Sequence, residues 1–380
     1  MSPWIAAYAL ACKRRLALLM TGKFEPYPTP PKGLGLSPSE AHFADCDAAP
    51  LKLAWPRAAI AEPEAWQERA RAKLVELLGY ERSAQPPSAR HLSDSRLPGG
   101  FLRRRAYLER RPHHHIPVDL VWAQASATPM KVMLCIQGTN SGAHLSWGEV
   151  RMPADPIKIA NGLDFARQAA RRGYLAVCIE QSCFGERRER KLNPRSADPC
   201  IDAANHALLL GRTLLGERVS DTSAVIDWLE AGGAGLDIDS TVVHAMGNSA
   251  GGTTIVFAAA VDQRIAAIMA GSCVGFIRET IARRRDPAGQ NTIPGILDWL
   301  EFDDVIGLIA PRVVLTVAGT GDHIFPAQGA QAVVERAARL YEALGAPESL
   351  RAAAAEGPHR FYPEVAWPAF EEMLAARAKS

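Results

Sequence analysis

The stretch Thr241-Val242-Val243-His244-Ala245-Met246-Gly247-Asn248-Ser249-Ala250-Gly251-Gly252 decides how the chain folds. Its first half is a short apolar run, suited to a strand buried on both faces. Its second half is G-x-S-x-G, leading into a helical pattern. A nucleophilic serine needs a sharp strand-to-helix turn that lifts its Oγ above the sheet. Small residues two before and two after it let neighbouring backbone pass close by. Alone, the pentapeptide is an ordinary Gly-rich turn. Between a buried strand and a helix it marks Ser249 as a candidate nucleophile.

On either side of this turn the chain alternates between strand and helix. Apolar runs at 131–136, 174–179, 266–269, 312–317 and 349–355 fit further buried strands. Helical patterns cover 157–172, 216–231, 251–261, 327–344 and 362–378. This rhythm predicts an α/β fold: a doubly wound, mostly parallel sheet with helices on both faces and right-handed crossovers. Ligands of such sheets sit beyond the C-terminal strand ends, so the residues just after each strand are the ones to inspect.

A serine hydroxyl is a weak nucleophile and needs a base, which in turn needs an orienting acid. Asp322 lies on a Gly-bounded loop after the 312–317 strand. His359 follows the last strand, after Glu356-Gly357-Pro358. Ser249, Asp322 and His359 thus arrive in hydrolase order, each one loop past its own strand. The oxyanion of a tetrahedral intermediate needs two donors. The expected ones are the N–H of Ala250 and, after the first core strand, that of Thr139, with Asn140 as the alternative. Asn140, Asn248 and His323 are candidate substrate contacts. So are Glu180, Gln181 and Arg187 in the loop after the second core strand, where an ion-pair role in holding the loop is the preferred reading. His244 reads as a core histidine. Asp303 and Asp304 lie at the wrong end of their strand and read as turn caps. His113, His114 and His115 cannot converge on one ion from a strand.

The first 110 residues have another character. An amphipathic helix is expected near the start, where Lys13, Arg14 and Arg15 split an apolar stretch that otherwise resembles a secretory leader. Residues 21–63 are rich in Pro and Gly and predict irregular chain. A helix is expected over Pro63–Leu78, a loop over 85–100, and extended strands from Phe101 to Ala123. The expected division is an N-terminal helical and irregular extension, 1–110, and an α/β catalytic domain, 111–380. About 40 residues between two core strands, Ser272 to Pro311, are expected to cover the pocket. Phe276, Ile277, Trp299 and Phe302 are candidate wall residues, with a core role equally open.

The 380 residues are 48% hydrophobic and 22% charged, which excludes disordered and low-complexity classes. Forty-three basic and 41 acidic residues give a net charge of +2, so nothing announces a nucleic-acid partner. No apolar run reaches membrane-spanning length. The seven cysteines show no CxxC and no repeating spacing, so neither a zinc site nor a disulfide framework is indicated. Free thiols fit a reducing compartment, and the expected location is cytoplasmic. Whether Cys183 and Cys200 meet stays open.

Several stretches together resemble α/β-hydrolases, and within them the acetyl-xylan-esterase-like and dienelactone-hydrolase-like branch. They are Cys183 to Arg187, Leu208 to Glu217, Gly247 to Gly252, Ile293 to Ile296, Ile309 to Arg312, Gly321-Asp322 with Phe325-Pro326, and Gly357 to Phe361. The resemblance covers roughly residues 60 to 378. It implies serine ester hydrolysis without metal or cofactor, on a small-molecule ester such as an acetylated sugar or another short-chain ester. Many relatives carry His-Gly where this chain has Gln137-Gly138, and Asn248 precedes the nucleophile; both reshape the oxyanion side. Two other readings stand beside it. One is a peptidase or amidase of the prolyl-oligopeptidase type, whose usual large propeller has no room in the first 130 residues. The other is a non-catalytic binding protein, a class that usually loses a triad member.

Overall fold

A computed structural model describes residues 8–10, 12–13, 15–16, 18, 20, 31–55, 62–192, 198–283 and 289–378. Two compact units divide between Ala48 and Ala49. In the first, every described residue between 8 and 20 is helical, and α1 spans Pro38–Ala48. The expectation of irregular chain over 21–63 therefore misses α1, a polar helix with no buried residue and so no apolar stripe to read. Residues 21–30 and 56–61 lie outside the described residues.

The second unit holds a nine-stranded sheet in the order β1-β2-β3-β5-β4-β6-β7-β8-β9. Its strands are β1 (Ser88–Leu97), β2 (Phe101–Arg111), β3 (His114–Ala123), β4 (Met130–Ile136), β5 (Leu175–Ile179), β6 (Ile238–Asn248), β7 (Ile265–Gly271), β8 (Val313–Gly319) and β9 (Leu350–Ala355). The first three are antiparallel, and β3 also runs antiparallel to β5. The ladder from β5 to β9 is parallel. Residues 85–100, expected as loop, contain β1. Its sequence SARHLSDSRL is polar on both faces, so an edge strand leaves no alternation to detect. Hydrogen bonding joins β1 and β2 to the same sheet as the core strands, so the structural division falls at 48/49 whereas the sequence suggested 110/111.

Alternate residues of each core strand feed two cores. Val132, Leu134 and Ile136 of β4 join one face, while Met133 and Cys135 join the other. Over the first face lie α2 (Pro63–Leu78), α6 (Leu214–Glu230), α7 (Ala250–Val261), α8 (Phe302–Gly307) and α9 (Ala327–Ala343). The second face is covered by α4 (Phe165–Ala170) and α10 (Pro363–Arg377). A short α5 (Ile201–Leu209) precedes α6. In α2, Pro63 is tolerated in the first turn, which leaves its backbone donors unpaired anyway. Trp66, Ala70, Leu74 and Leu78 recur every four residues and form its buried stripe. Trp66 Nε1 also donates to Leu53 O at 2.8 Å.

The helix expected over 157–172 is broken. A short α3 (Asp155–Lys158) runs into a π-turn, Ile159–Leu163, before α4 begins. Asn161 and Gly162 leave helical geometry there, Gly162 at φ 83°. This break places Lys158 and Asn161 at the functional end of the sheet.

Candidate active site

The strand β6 is fully buried from Val243 to Asn248 and ends directly in Ser249, which has φ 54° and ψ −124°. A positive φ is costly for a residue with a Cβ, so the surroundings must enforce it. They do so by close approach. A Cβ on Gly251 would lie 2.6 Å from Gln137 O, and one on Gly247 would lie 2.6 Å from the Gly251 backbone. Only hydrogen at these two positions lets α7 start tight against the end of β4. Ser249 N–H donates to Gly271 O at 2.8 Å, which ties the turn to β7.

Ser249 opens onto a cavity of about 570 Å³, which His359, Ala250, Thr139 and Gly138 also line. His359 Nδ1 is 2.8 Å from Asp322 Oδ2. The other carboxylate oxygen, Asp322 Oδ1, accepts from the backbone N–H of Ile324 at 2.8 Å and of Phe325 at 2.9 Å. Burial by itself pushes the Asp322 carboxyl up. The hydrogen bonds from His359 and the two backbone N–H groups outweigh it and hold the group below the usual carboxylate range. An ionised, fixed Asp322 therefore faces the Nδ1 side of His359, while the imidazole edge reaches the cavity. The Phe325 ring lies 6.5 Å from the His359 ring, centroid to centroid, at an interplanar angle of 32°.

On the other side of Ser249, the loop after β4 carries Thr139. The Ala250 N–H opens α7, and neither it nor the Thr139 N–H finds an acceptor among the described residues. Two unused donors beside one hydroxyl form an arrangement able to hold an oxyanion. The loop is braced from several directions. Gln290 Nε2 donates to Thr139 Oγ1 at 3.1 Å. Gln137 donates to Ser146 Oγ at 2.8 Å and to Leu163 O at 2.7 Å. Asp155 accepts from Ser141 Oγ at 2.5 Å and faces His144 Nε2 at 2.8 Å. Sequence reasoning missed Asp155 and Gln290, because their roles depend on long-range contacts that leave no local pattern.

Of the six candidate substrate contacts, Asn140, Asn248 and His323 line the cavity. Asn248 is 6% exposed and its Oδ1 has no hydrogen-bond partner among the described residues. Glu180, Gln181 and Arg187 do not line it. Glu180 Oε1 accepts from Ala143 N–H at 3.0 Å, and burial raises its carboxyl to about 7. Gln181 Nε2 donates to Gln137 O at 2.5 Å, and its Oε1 accepts from Thr254 at 2.7 Å. Arg187 Nη1 donates to Asp221 Oδ2 at 2.7 Å. All three are internal ties.

The weaker candidates also have places. His244 is buried and within 3.1 Å of Tyr174 Oη, and desolvation pulls its imidazole down to about 4, so it stays neutral in the core. His114 Nε2 meets Asp221 Oδ1 at 2.7 Å. Asp304 pairs with Glu301 in a capping box at the start of α8. Phe276, Ile277 and Phe302 are core residues, and Trp299 packs against the same core. From the segment between β7 and β8, Gln290 and Asn291 line the cavity; residues 284–288 lie outside the described residues. Cys183 and Cys200 are free, buried thiols of one small cluster. Among the described residues no group of three or more potential metal ligands gathers.

A family model described as Abhydrolase family matches residues 47–353. A Bacillus subtilis (strain 168) protein named as a hydrolase, YtaP, is 21% identical over 256 residues, 66% of this chain and 80% of that protein. Among solved structures, a Bacteroides fragilis NCTC 9343 protein named as an acetyl xylan esterase superposes with a TM-score of 0.67 at 17% identity, covering 90% of this chain and 86% of that one. A glucuronoyl esterase from Teredinibacter turnerae T7901 superposes with a TM-score of 0.61 at 18% identity, covering 97% of this chain and 100% of that one. At these identities the likeness establishes a shared fold.

Proposed function

Because the chain belongs to the Abhydrolase family, we propose that it hydrolyses carboxylic esters of small molecules through Ser249, His359 and Asp322. The reading rests chiefly on one observation: the 2.8 Å contact between His359 and Asp322, at a cavity that the strained Ser249 also lines. Ser249 Oγ attacks the ester carbonyl carbon as His359 Nε2 takes its proton. The backbone N–H groups of Ala250 and Thr139 hold the resulting oxyanion. His359 then protonates the departing alcohol, and the C–O bond to it breaks. Water, deprotonated by His359, attacks the acyl-enzyme, and the proton returns to Ser249 as the acid leaves. Asp322 keeps Nδ1 protonated and stabilises the imidazolium at each stage.

Short acyl groups on hydroxylated alcohols such as sugars are the proposed substrates. The name of one structural neighbour, an acetyl xylan esterase, supports this class, as do the amide side chains of Asn140 and Asn161 along the cavity, each able to donate to and accept from hydroxyls. The proposed compartment is the cytoplasm, supported by seven free thiols. Among the described residues no helix is long and apolar enough to cross a membrane. A fluorophosphonate probe tests the catalytic assignment. It should label the wild-type protein on Ser249 and leave Ser249→Ala unlabelled; labelling that persists in the variant would refute it.

A further inference from the structure

The charged groups around the cavity are of one sign. Among the described residues that line it, Lys158, His323, His359 and Arg360 are basic and none is an aspartate or glutamate. Asp322 stands behind His359, and that contact uses its charge. Arg360 is also engaged. Its Nη2 donates to Glu364 Oε1 at 2.8 Å, its Nη1 to Phe361 O at 2.9 Å, and its guanidinium lies 4.0 Å from the Tyr362 ring centroid.

Lys158 differs from these. It is half-buried at the cavity wall, and its ammonium has no ion-pair or hydrogen-bond partner among the described residues. A lysine at a free surface turns its charge into water at little cost. On the wall of a site, an ammonium with no partner in the protein keeps its charge available to a ligand. The backbone beneath it is fixed at both ends. Asp155, at the start of α3, accepts from the backbone N–H of Arg151 and Met152 as well as from Ser141. Beyond the π-turn, Gln168 Nε2 holds Gly162 O at 2.8 Å, and Gln137 Nε2 holds Leu163 O at 2.7 Å. The same Gln137 belongs to the loop that carries Thr139. One set of bonds therefore fixes the backbone of both the Lys158 segment and the oxyanion side of the site, which sets where the root of the lysine stands relative to Ser249.

We infer that the ester this site takes carries a negatively charged group, which meets Lys158 Nζ while the scissile carbonyl lies at Ser249. The inference rests on the esterase reading above and adds to it the charge class of the substrate. A neutral ester can enter, but an anionic one of similar size gains a Coulombic contact with an unpaired ammonium.

Two matched pairs of esters test it with the full chain. In one pair the charge is on the acyl side: 4-nitrophenyl butyrate against mono-4-nitrophenyl succinate. In the other it is on the alcohol side: methyl 4-acetoxybenzoate against 4-acetoxybenzoate. At low salt the anionic member of at least one pair should show a kcat/KM about tenfold higher. The advantage should shrink toward unity at ~0.5 M salt, where the screening length is only a few ångströms. In Lys158→Gln the anionic-to-neutral ratio should fall to about one. Lys158→Glu should reverse it, and Lys158→Arg should retain it. Equal or poorer use of the anionic member in both pairs overturns the inference, as does an advantage that survives Lys158→Gln in protein whose melting temperature is unchanged. Hydrolysis of the neutral esters alone would remove this inference and leave the esterase reading standing. Hydrolysis of none of the four would remove both.

Discussion

The loops after β5 and β9 end at the same edge of one sheet, and each carries ionisable side chains that look suited to catalysis. They hold them in opposite ways. After β9, His359 has one ring nitrogen on Asp322 and its other edge toward the cavity. After β5, Glu180 faces the Ala143 and Glu186 backbone, and Arg187 is bound to Asp221. Asp221 in turn meets His114 at 2.7 Å and Arg110 at 3.5 Å. One loop leaves an imidazole edge unused; the other ties Glu180 and Arg187 into the protein. Position at the active end of a sheet is thus not enough, and an unfilled hydrogen-bonding capacity toward a cavity is what separates a candidate catalyst from a structural ion pair.

The sharpest way to break this comparison is to remove the open groups. Ser249→Ala and His359→Ala should each lower turnover of a short-chain aryl ester at least about 1000-fold, equivalent to ~4 kcal/mol of barrier. Their thermal stability should stay close to wild type, since neither side chain fills the core. Asp322→Asn should be nearly as damaging. The amide can present N–H to Nδ1 and stabilise the wrong tautomer, and it cannot balance the imidazolium. Near-normal turnover in Asp322→Asn, measured under saturating ester, would remove Asp322 from the mechanism.

The closed groups should respond in stability instead. Asp221 is 1% exposed and faces three cationic or protonatable side chains. Burial pushes its carboxyl up, but Arg187, His114 and Arg110 overcome that and hold it well below the ordinary range. Asp221→Asn leaves buried cations without their counter-charge and should cost about 3 kcal/mol in denaturant unfolding. In the fraction that stays folded, turnover should change by less than about threefold. A large loss of turnover without loss of stability would show that this loop does belong to the chemistry.

The same contrast explains what the sequence discloses. The succession of strands along the chain from β4 to β9, and the loops carrying Ser249, Asp322 and His359, were legible because buried parallel strands are continuous apolar runs and the candidate catalytic residues follow them directly. Glu180 and Arg187 were ambiguous for that very reason: they too follow a strand, and only their long-range partners Ala143 and Asp221 reveal the closed network. Lys158 left no signal. It reaches the cavity because Asn161 and Gly162 break a helix that apolar spacing predicted to be continuous. The edge strand β1 and the polar helix α1 were lost for want of a buried face.

The smallest effect concerns Glu180, where the comparison can be sharpened with pH. Burial raises this carboxyl from 4.5 to about 7, against the opposing pull of the Ala143 and Glu186 backbone N–H groups. A carboxyl that holds its proton more tightly folded than unfolded makes the folded state bind more protons across that interval. Stability from this group is therefore greatest below the unfolded value and declines as pH rises from about 4.5 to 7. The full shift corresponds to on the order of 3 kcal/mol, and relaxation around the anion should reduce it to ~1–2 kcal/mol. Glu180→Gln cannot ionise, so the wild-type-minus-variant difference in unfolding free energy should fall by that amount between pH 5 and pH 8. Asp221 and the other ion pairs contribute equally to both proteins and cancel in the difference. A difference that stays flat with pH would mean that the two backbone donors offset burial completely, and the closed loop would then carry Glu180 as a permanent anion.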